Sequence, residues 1–206
     1  MKQAPNVALQ SLSALSIAFC LQRISRASAG TWQVLDTKIS YGTFEDALRQ
    51  HDFKKPAAAV YVGLKGRSPL TAMMLFDPAE IDCVAKCYTG QSFHKTGTLT
   101  PADEMLLVEL GNMVINALLS ALLNALKKSF MPAVPKFAQG NLPELAQELL
   151  NAAGIKTSFR IIAVTLGMES GEFSARSEVF ALIPEEMALE IENLRPSPWT
   201  PETRKP

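Results

Sequence analysis

Pro78 and Pro184, about half a chain length apart, each close the same succession of sequence patterns and each open a helical one. A duplication of this kind restricts the chain to folds that one supersecondary unit can build twice. The division falls near Gly90–Gly97. The first half reads as a helix from about Val7 to Ala29, a strand from Thr31 to Ile39, and a short helix around Phe44 to His51. Thr43 and Asp46 are spaced as a capping pair for that short helix. Two strands follow, Ala58 to Lys65 and Leu70 to Phe76, joined by the turn-rich Gly66-Arg67-Ser68-Pro69. Pro78 then opens a helix with Glu80 in its first turn.

The second half repeats the order. A long helix starts at Thr100 as cap, with Pro101 at the first helical position and Asp103 completing a capping box. A strand over Ala133 to Ala138 is followed by a helix from Leu142 to Ala153 that stops at Gly154. Strands Thr157 to Leu166 and Phe173 to Leu182 flank Glu169-Ser170-Gly171, and Pro184-Glu185-Glu186-Met187 opens the last helix.

Neighbouring strands joined by short turns pair antiparallel. Two helix-strand-helix-strand-strand-helix units therefore predict an α+β fold, a roughly six-stranded, mainly antiparallel sheet with long helices packed on it. One pseudo-two-fold domain is expected over residues 1–194, with halves at about 1–92 and 98–194. Met73-Met74-Leu75-Phe76 and Ile161-Ile162-Ala163-Val164 are unbroken apolar runs, which predicts strands covered on both faces. Pro196, Pro198, Pro201 and Pro206 make 195–206 a Pro-rich tail of irregular backbone.

Polarity is unusually sparse on the long helix. From Thr100 to Ser129 apolar residues cover most of the helical circumference, and the exceptions are Glu109, Asn112, Asn116, Ser120 and Asn124. Their spacing of three, then four, four and four places them on one face. Such a stripe is ordinarily a solvated edge. Here it also presents a carboxylate and a carboxamide one turn apart, with little other chemistry on the helix. Glu109 interrupts the apolar stretch, and the uncharged remainder from Leu110 to Leu126 is short and carries three asparagines. A core helix is expected, with no membrane insertion.

The remaining composition narrows the function class. A hydrophobic fraction of 48% with 19% charged residues suits a packed globular protein. Net charge is zero and no basic stripe is interleaved with aromatics, which argues against nucleic acid as a partner. Three cysteines, an odd number, argue against a disulfide framework and for a cytoplasmic location. Cys83 and Cys87 lie one turn apart with His94 beyond them, but a metal site would lack a fourth ligand, so both read as small buried apolar residues. At the amino terminus, Gln22, Arg23 and Arg26 intervene between the apolar run and Ala27-Ser28-Ala29, and Phe19 spoils a lipoprotein box before Cys20. An amphipathic first helix is expected rather than a cleaved signal.

The second half resembles the CheC/CheX/FliY family, phosphatases of the phosphorylated chemotaxis regulator CheY. Its signature is an Asp or Ser, three residues, Glu, two residues, Asn, then twenty-two residues to a Pro. Glu109 and Asn112 have the required spacing, and twenty-two residues separate Asn112 from Pro135. Gly111 also fits the common form of this helix, and the duplicated element order matches the family's internal symmetry. The signature's first position falls on Met105, which is neither Asp nor Ser. The first half holds no second dyad, because no Glu or Asn occurs from Val7 through Phe44.

The resemblance implies a hydrolase of two-component signalling with a single site. Asn112 would orient the attacking water, as a glutamine does in GTPases, and Glu109 would pair with the regulator's active-site lysine. No cofactor is expected on this chain, since the Mg²⁺ belongs to the regulator. The implied partners are a phosphorylated CheY-type response regulator or a CheD-type deamidase, with the chain as monomer or homodimer. A noncatalytic CheC-like binding module, an adaptor for the regulator or the deamidase, is the alternative that Met105 favours.

Overall fold

Residues 6–42, 57–64, 70–91, 99–129, 133–153 and 159–194 are described by the structure, a computed structural model. The elements are α1 (Val7–Ala27), β1 (Thr31–Gly42), β2 (Ala57–Leu64), β3 (Leu70–Phe76), α2 (Ile81–Thr89) and α3 (Pro101–Ala125). They continue as β4 (Lys136–Gly140), α4 (Leu142–Ala153), β5 (Phe159–Ser170), β6 (Phe173–Pro184) and α5 (Glu185–Glu192). The short helix expected around Phe44 to His51, the Gly66–Pro69 turn, the Gly154 stop and the Pro-rich tail lie outside the described residues.

All six strands join one antiparallel sheet in the order β1-β5-β6-β3-β2-β4. Exchanging β1 with β4, β2 with β5 and β3 with β6 reverses this order into itself, so the two-fold anticipated from the sequence runs between β6 and β3. Each half lends its first strand to the other: β1 pairs with β5, and β4 pairs with β2. Neither half owns a complete set of partners for its backbone hydrogen bonds.

Several boundaries differ from the sequence reading, for local reasons. The β5–β6 ladder continues to Ser170↔Phe173, so the turn shrinks to Gly171-Glu172, where Gly171 adopts φ 61°. That left-handed geometry suits glycine. β1 runs on past Ile39 because it pairs with β5 as far as Gly42↔Phe159. β4 begins after Pro135 rather than at Ala133, as proline has no N–H to give a ladder. The helix expected to open at Pro78 starts at Ile81. Residues 78–80 instead form a turn, in which Ala79 N–H donates to the Asp77 carboxylate (2.8 Å) and Glu80 N–H to the Asp77 carbonyl (2.9 Å).

One face of the sheet carries α1, α2, α3 and α5, whose apolar residues merge with Val60, Met74, Val164 and Val179 into the main core. The opposite face packs Leu145 and Ala146 of α4 on Ala59, Met73 and Leu75. The apolar run of β3 is thereby covered on both sides, and that of β5 is buried as well apart from half-buried Ala163. By length and composition α1 and α3 could each cross a membrane, and the larger part of the apolar window of α3 is buried within the protein.

A polar clasp ties the start of α1 to β5 and α5. Arg160 of β5 is fully buried and donates to both Glu185 oxygens, at 2.9 and 2.7 Å, and to Asn6 Oδ1 at 2.9 Å. Its guanidinium also lies 5.1 Å from the centroid of the Tyr41 ring. Asn6 does not cap α1 with its side chain; Glu192 of α5 accepts the N–H groups of Ala8 (3.2 Å) and Leu9 (2.8 Å) instead. A carboxylate at that end satisfies orphan donors and complements the helix dipole.

Glu178 of β6 is buried, and desolvation pushes its carboxyl up to about 7. Donation by Thr165 Oγ1 (3.0 Å) and the charge of Lys38 act in the opposite direction. The native state therefore holds this proton more tightly than the unfolded chain. Its stabilising contribution is full below the ordinary glutamate range and is lost as pH rises through about 7. Urea denaturation at stepped pH should show stability falling across that window, and Glu178→Gln should flatten the fall.

Candidate functional site on the long helix

α3 begins with the capping box anticipated from sequence. Asp103 N–H donates to Thr100 Oγ1 (3.2 Å) and Thr100 N–H to the Asp103 carboxylate (2.8 Å). This fixes where the helix begins and satisfies orphan N–H groups of its first turn. Leu106, Leu107, Leu110, Val114, Ile115, Leu118 and Leu119 are buried. α1 lies alongside, with Cys20 Sγ against the Met113 carbonyl at 3.6 Å.

The motif residues occupy the outer line of α3. Met105 is 74% exposed, Glu109 is exposed, and Asn112 is half-buried. Further along, Asn116 is half-buried and donates from Nδ2 to Asn112 Oδ1 at 2.6 Å, while Asn124 faces solvent. The stripe is therefore not uniform. Its first part presents an acid and an amide to the outside, its middle is hydrogen-bonded within itself, and its end is a wet edge.

Gly111 sets the height of that line. A Cβ placed there would come within 2.7 Å of the Cβ and Cγ1 of Val60 on β2. Val60 in turn pairs with Phe137 of β4, two residues beyond Pro135. The glycine, the strand beneath it and the stretch that follows the distant proline thus meet under the dyad. Pro135 itself is half-buried, while its neighbour Val134 is 83% exposed.

Tyr88 of α2 was not singled out from the sequence. Its phenol is shifted upward first by burial and then by the charge of Glu109, so the ring stands within electrostatic reach of the acid. The Tyr88 ring packs edge-on against Trp32, with centroids 6.3 Å apart. No spacing rule links residues on different helices, so only the fold brings Tyr88 near Glu109.

Among the described residues no group of three or more His, Cys, Asp or Glu is arranged to hold a metal. His51 and His94 lie outside them. Cys83 and Cys87 are free thiols, and burial followed by the neighbouring Cys83 pushes Cys87 up to about 12. Cys87 is buried, as expected of a small apolar side chain, whereas Cys83 is half-buried.

No protein-family profile matches the chain, and no curated protein does. Solved structures do. FliY of Thermotoga maritima superposes with TM-score 0.66 at 13% identity, covering 93% of this chain and 96% of that one. A chain of the CheX–CheY–BeF3–Mg²⁺ complex of Borrelia burgdorferi gives 0.51 at 13% identity over 89% and 100%. A chain of the FliG–FliM complex of H. pylori gives 0.55 at 14% identity over 89% and 96%. The chain has the fold of the CheC/CheX/FliY family, α+β with a six-stranded antiparallel sheet.

The contact between Gly111 and Val60 generates a test whose sign is informative. In an unencumbered helix interior Gly→Ala stabilises by about 0.5–1 kcal/mol. Here the added methyl meets a strand atom that cannot swing away, so Gly111→Ala should destabilise by about 1–3 kcal/mol in urea denaturation.

Proposed function

We propose that the chain is a phosphatase for the aspartyl phosphate of a CheY-type response regulator, acting through Glu109 and Asn112. The observation that carries this reading is the pair itself, an acid and an amide one turn apart on the outward line of a rigid helix. The shared fold supports it, because one structure with that fold is a CheX–CheY complex.

The chemistry asked of this chain is modest. An aspartyl phosphate is an acyl phosphate, so hydrolysis needs a water held in line and charge neutralised around the phosphoryl group. Asn112 has no titratable proton and cannot be a general base. Its carboxamide orients the water, accepting a water O–H through the remaining Oδ1 lone pair. The water oxygen forms the new bond to phosphorus as the bond to the aspartate oxygen breaks. A carboxylate and inorganic phosphate result, and the water proton leaves with the phosphate or to solvent.

Glu109 forms an ion pair with the regulator's active-site lysine, which fixes register and draws that cation away from the phosphoryl group. The Mg²⁺ that screens the phosphoryl oxygens is held by the regulator, and this chain supplies no ligand to it. The reaction takes place in the cytoplasm, where two-component regulators work.

Phosphate loss from a phosphorylated CheY-type regulator, followed with and without this chain, tests the reading. The wild type should accelerate the loss. Asn112→Ala should cut the acceleration tenfold or more, about 1.4 kcal/mol or above. Met105 favours a second reading, a noncatalytic adaptor for the regulator or a CheD-type deamidase, since a thioether replaces the signature's hydrogen-bonding side chain. Binding of the regulator with an unchanged decay rate would establish the adaptor and end the phosphatase reading.

A further inference from the structure

We propose that Asn116 is a positioning residue for Asn112, holding its carboxamide in the single orientation that water alignment requires. This role rests on the phosphatase reading above and adds a residue that the signature does not contain.

Geometry carries it. Asn116 Nδ2 donates to Asn112 Oδ1 at 2.6 Å across one turn of α3. The terminal torsion of an asparagine is broad and two-fold, so an untethered amide would exchange its oxygen and nitrogen positions freely. A catalyst that works by orienting water loses its effect when the orienting group is itself unfixed. Donation into Oδ1 removes that ambiguity. It leaves one Oδ1 lone pair and both Nδ2 hydrogens of Asn112 for water and phosphoryl oxygens. It also polarises the amide, which strengthens those outward N–H donors.

The opposite end of Asn116 argues against a merely solvating role. Asn116 Oδ1 is buried and finds no hydrogen-bond partner among the described residues. An unpaired buried carbonyl oxygen costs stability, and asparagine is a weak helix former. A residue placed there for folding would be leucine, like its neighbours Leu118 and Leu119. Retaining an amide at a structural cost is intelligible when its other end does work at Asn112.

The test measures phosphate loss from a phosphorylated CheY-type regulator against concentration of the full chain, for wild type, Asn116→Leu and Asn116→Asp. Leucine keeps the bulk and removes the polar atoms; aspartate keeps the shape but cannot donate. Both variants should lower kcat about fivefold or more. KM should stay within about twofold of wild type. The Tm of Asn116→Leu should equal or exceed the wild-type value, because the unpaired oxygen is gone. A second readout needs no turnover: the side-chain amide proton resonances of Asn116 should shift in Asn112→Ala.

Wild-type kcat in Asn116→Leu overturns the role, as do unshifted Asn116 amide resonances. So does a fall in Tm accompanied by a rise in KM, which marks a structural residue. If wild type itself fails to accelerate phosphate loss, the reading of the site falls first, and the positioning role falls with it before any variant is measured.

Discussion

At Gly111 the backbone of α3 rests so close to Val60 that a methyl in place of the glycine hydrogen would lie 2.7 Å from two of its carbons. That contact fixes how deeply the helix sinks into the sheet. Close packing transmits such a constraint, because neither a well-packed strand nor a helix yields by much. The buried row of Leu107, Leu110, Val114 and Leu118 fixes the rotation of the same helix. Height and rotation together leave one narrow outward line, and Met105, Glu109 and Asn112 lie on it. The dyad thus needs no loop to hold it, and its position is set by core packing beneath.

The interlocked sheet gives this helix a stiff support. β2, which carries Val60, is paired on one side with β3 of its own half and on the other with β4 of the second half. A strand held on both sides cannot retreat from a helix pressed on it. The clasp of Arg160, Glu185 and Asn6, with Glu192 on the first N–H groups of α1, ties the first helix to the last. α1 occupies the same face of the sheet as α3, yet it carries neither glutamate nor asparagine. Symmetry has been kept where it builds the sheet and has lapsed where it would have made a second dyad.

Much of this was legible in the residues, and the parts that were not have physical reasons. Strand number and antiparallel pairing followed from apolar runs separated by short turns, and Thr100-Pro101-Ala102-Asp103 announced its cap directly. Polar exceptions on an apolar helix marked the line along which Glu109 and Asn112 reach the surface. Boundaries moved where tertiary pairing overrode local signals, as when the ladder carried β5 through Glu169 and Ser170 and compressed the turn to two residues. Periodicity also could not divide the stripe into functions. Asn112, Asn116 and Asn124 are equivalent by spacing; burial and a 2.6 Å contact separate them. Tyr88 lay beyond reach altogether, because its proximity to Glu109 exists only once α2 and α3 are packed.

Met105 bears on how the proposed phosphatase would differ from one with the full signature. A hydrogen-bonding side chain one turn before Glu109 would constrain the acid from its amino-terminal side. An exposed thioether cannot do that, yet it is flexible, polarisable and suited to packing against a partner's apolar surface. Constraint on the pair then comes from the other end, where Asn116 grips Asn112. In the proposed phosphatase the first position would contribute contact area for docking, Glu109 register through its charge, and the asparagine pair the geometry on which turnover would depend. Loss of a polar group from the signature would be compatible with the proposed catalysis so long as the amide that orients water were held by something, and the Asn116 contact one turn along α3 is such a hold.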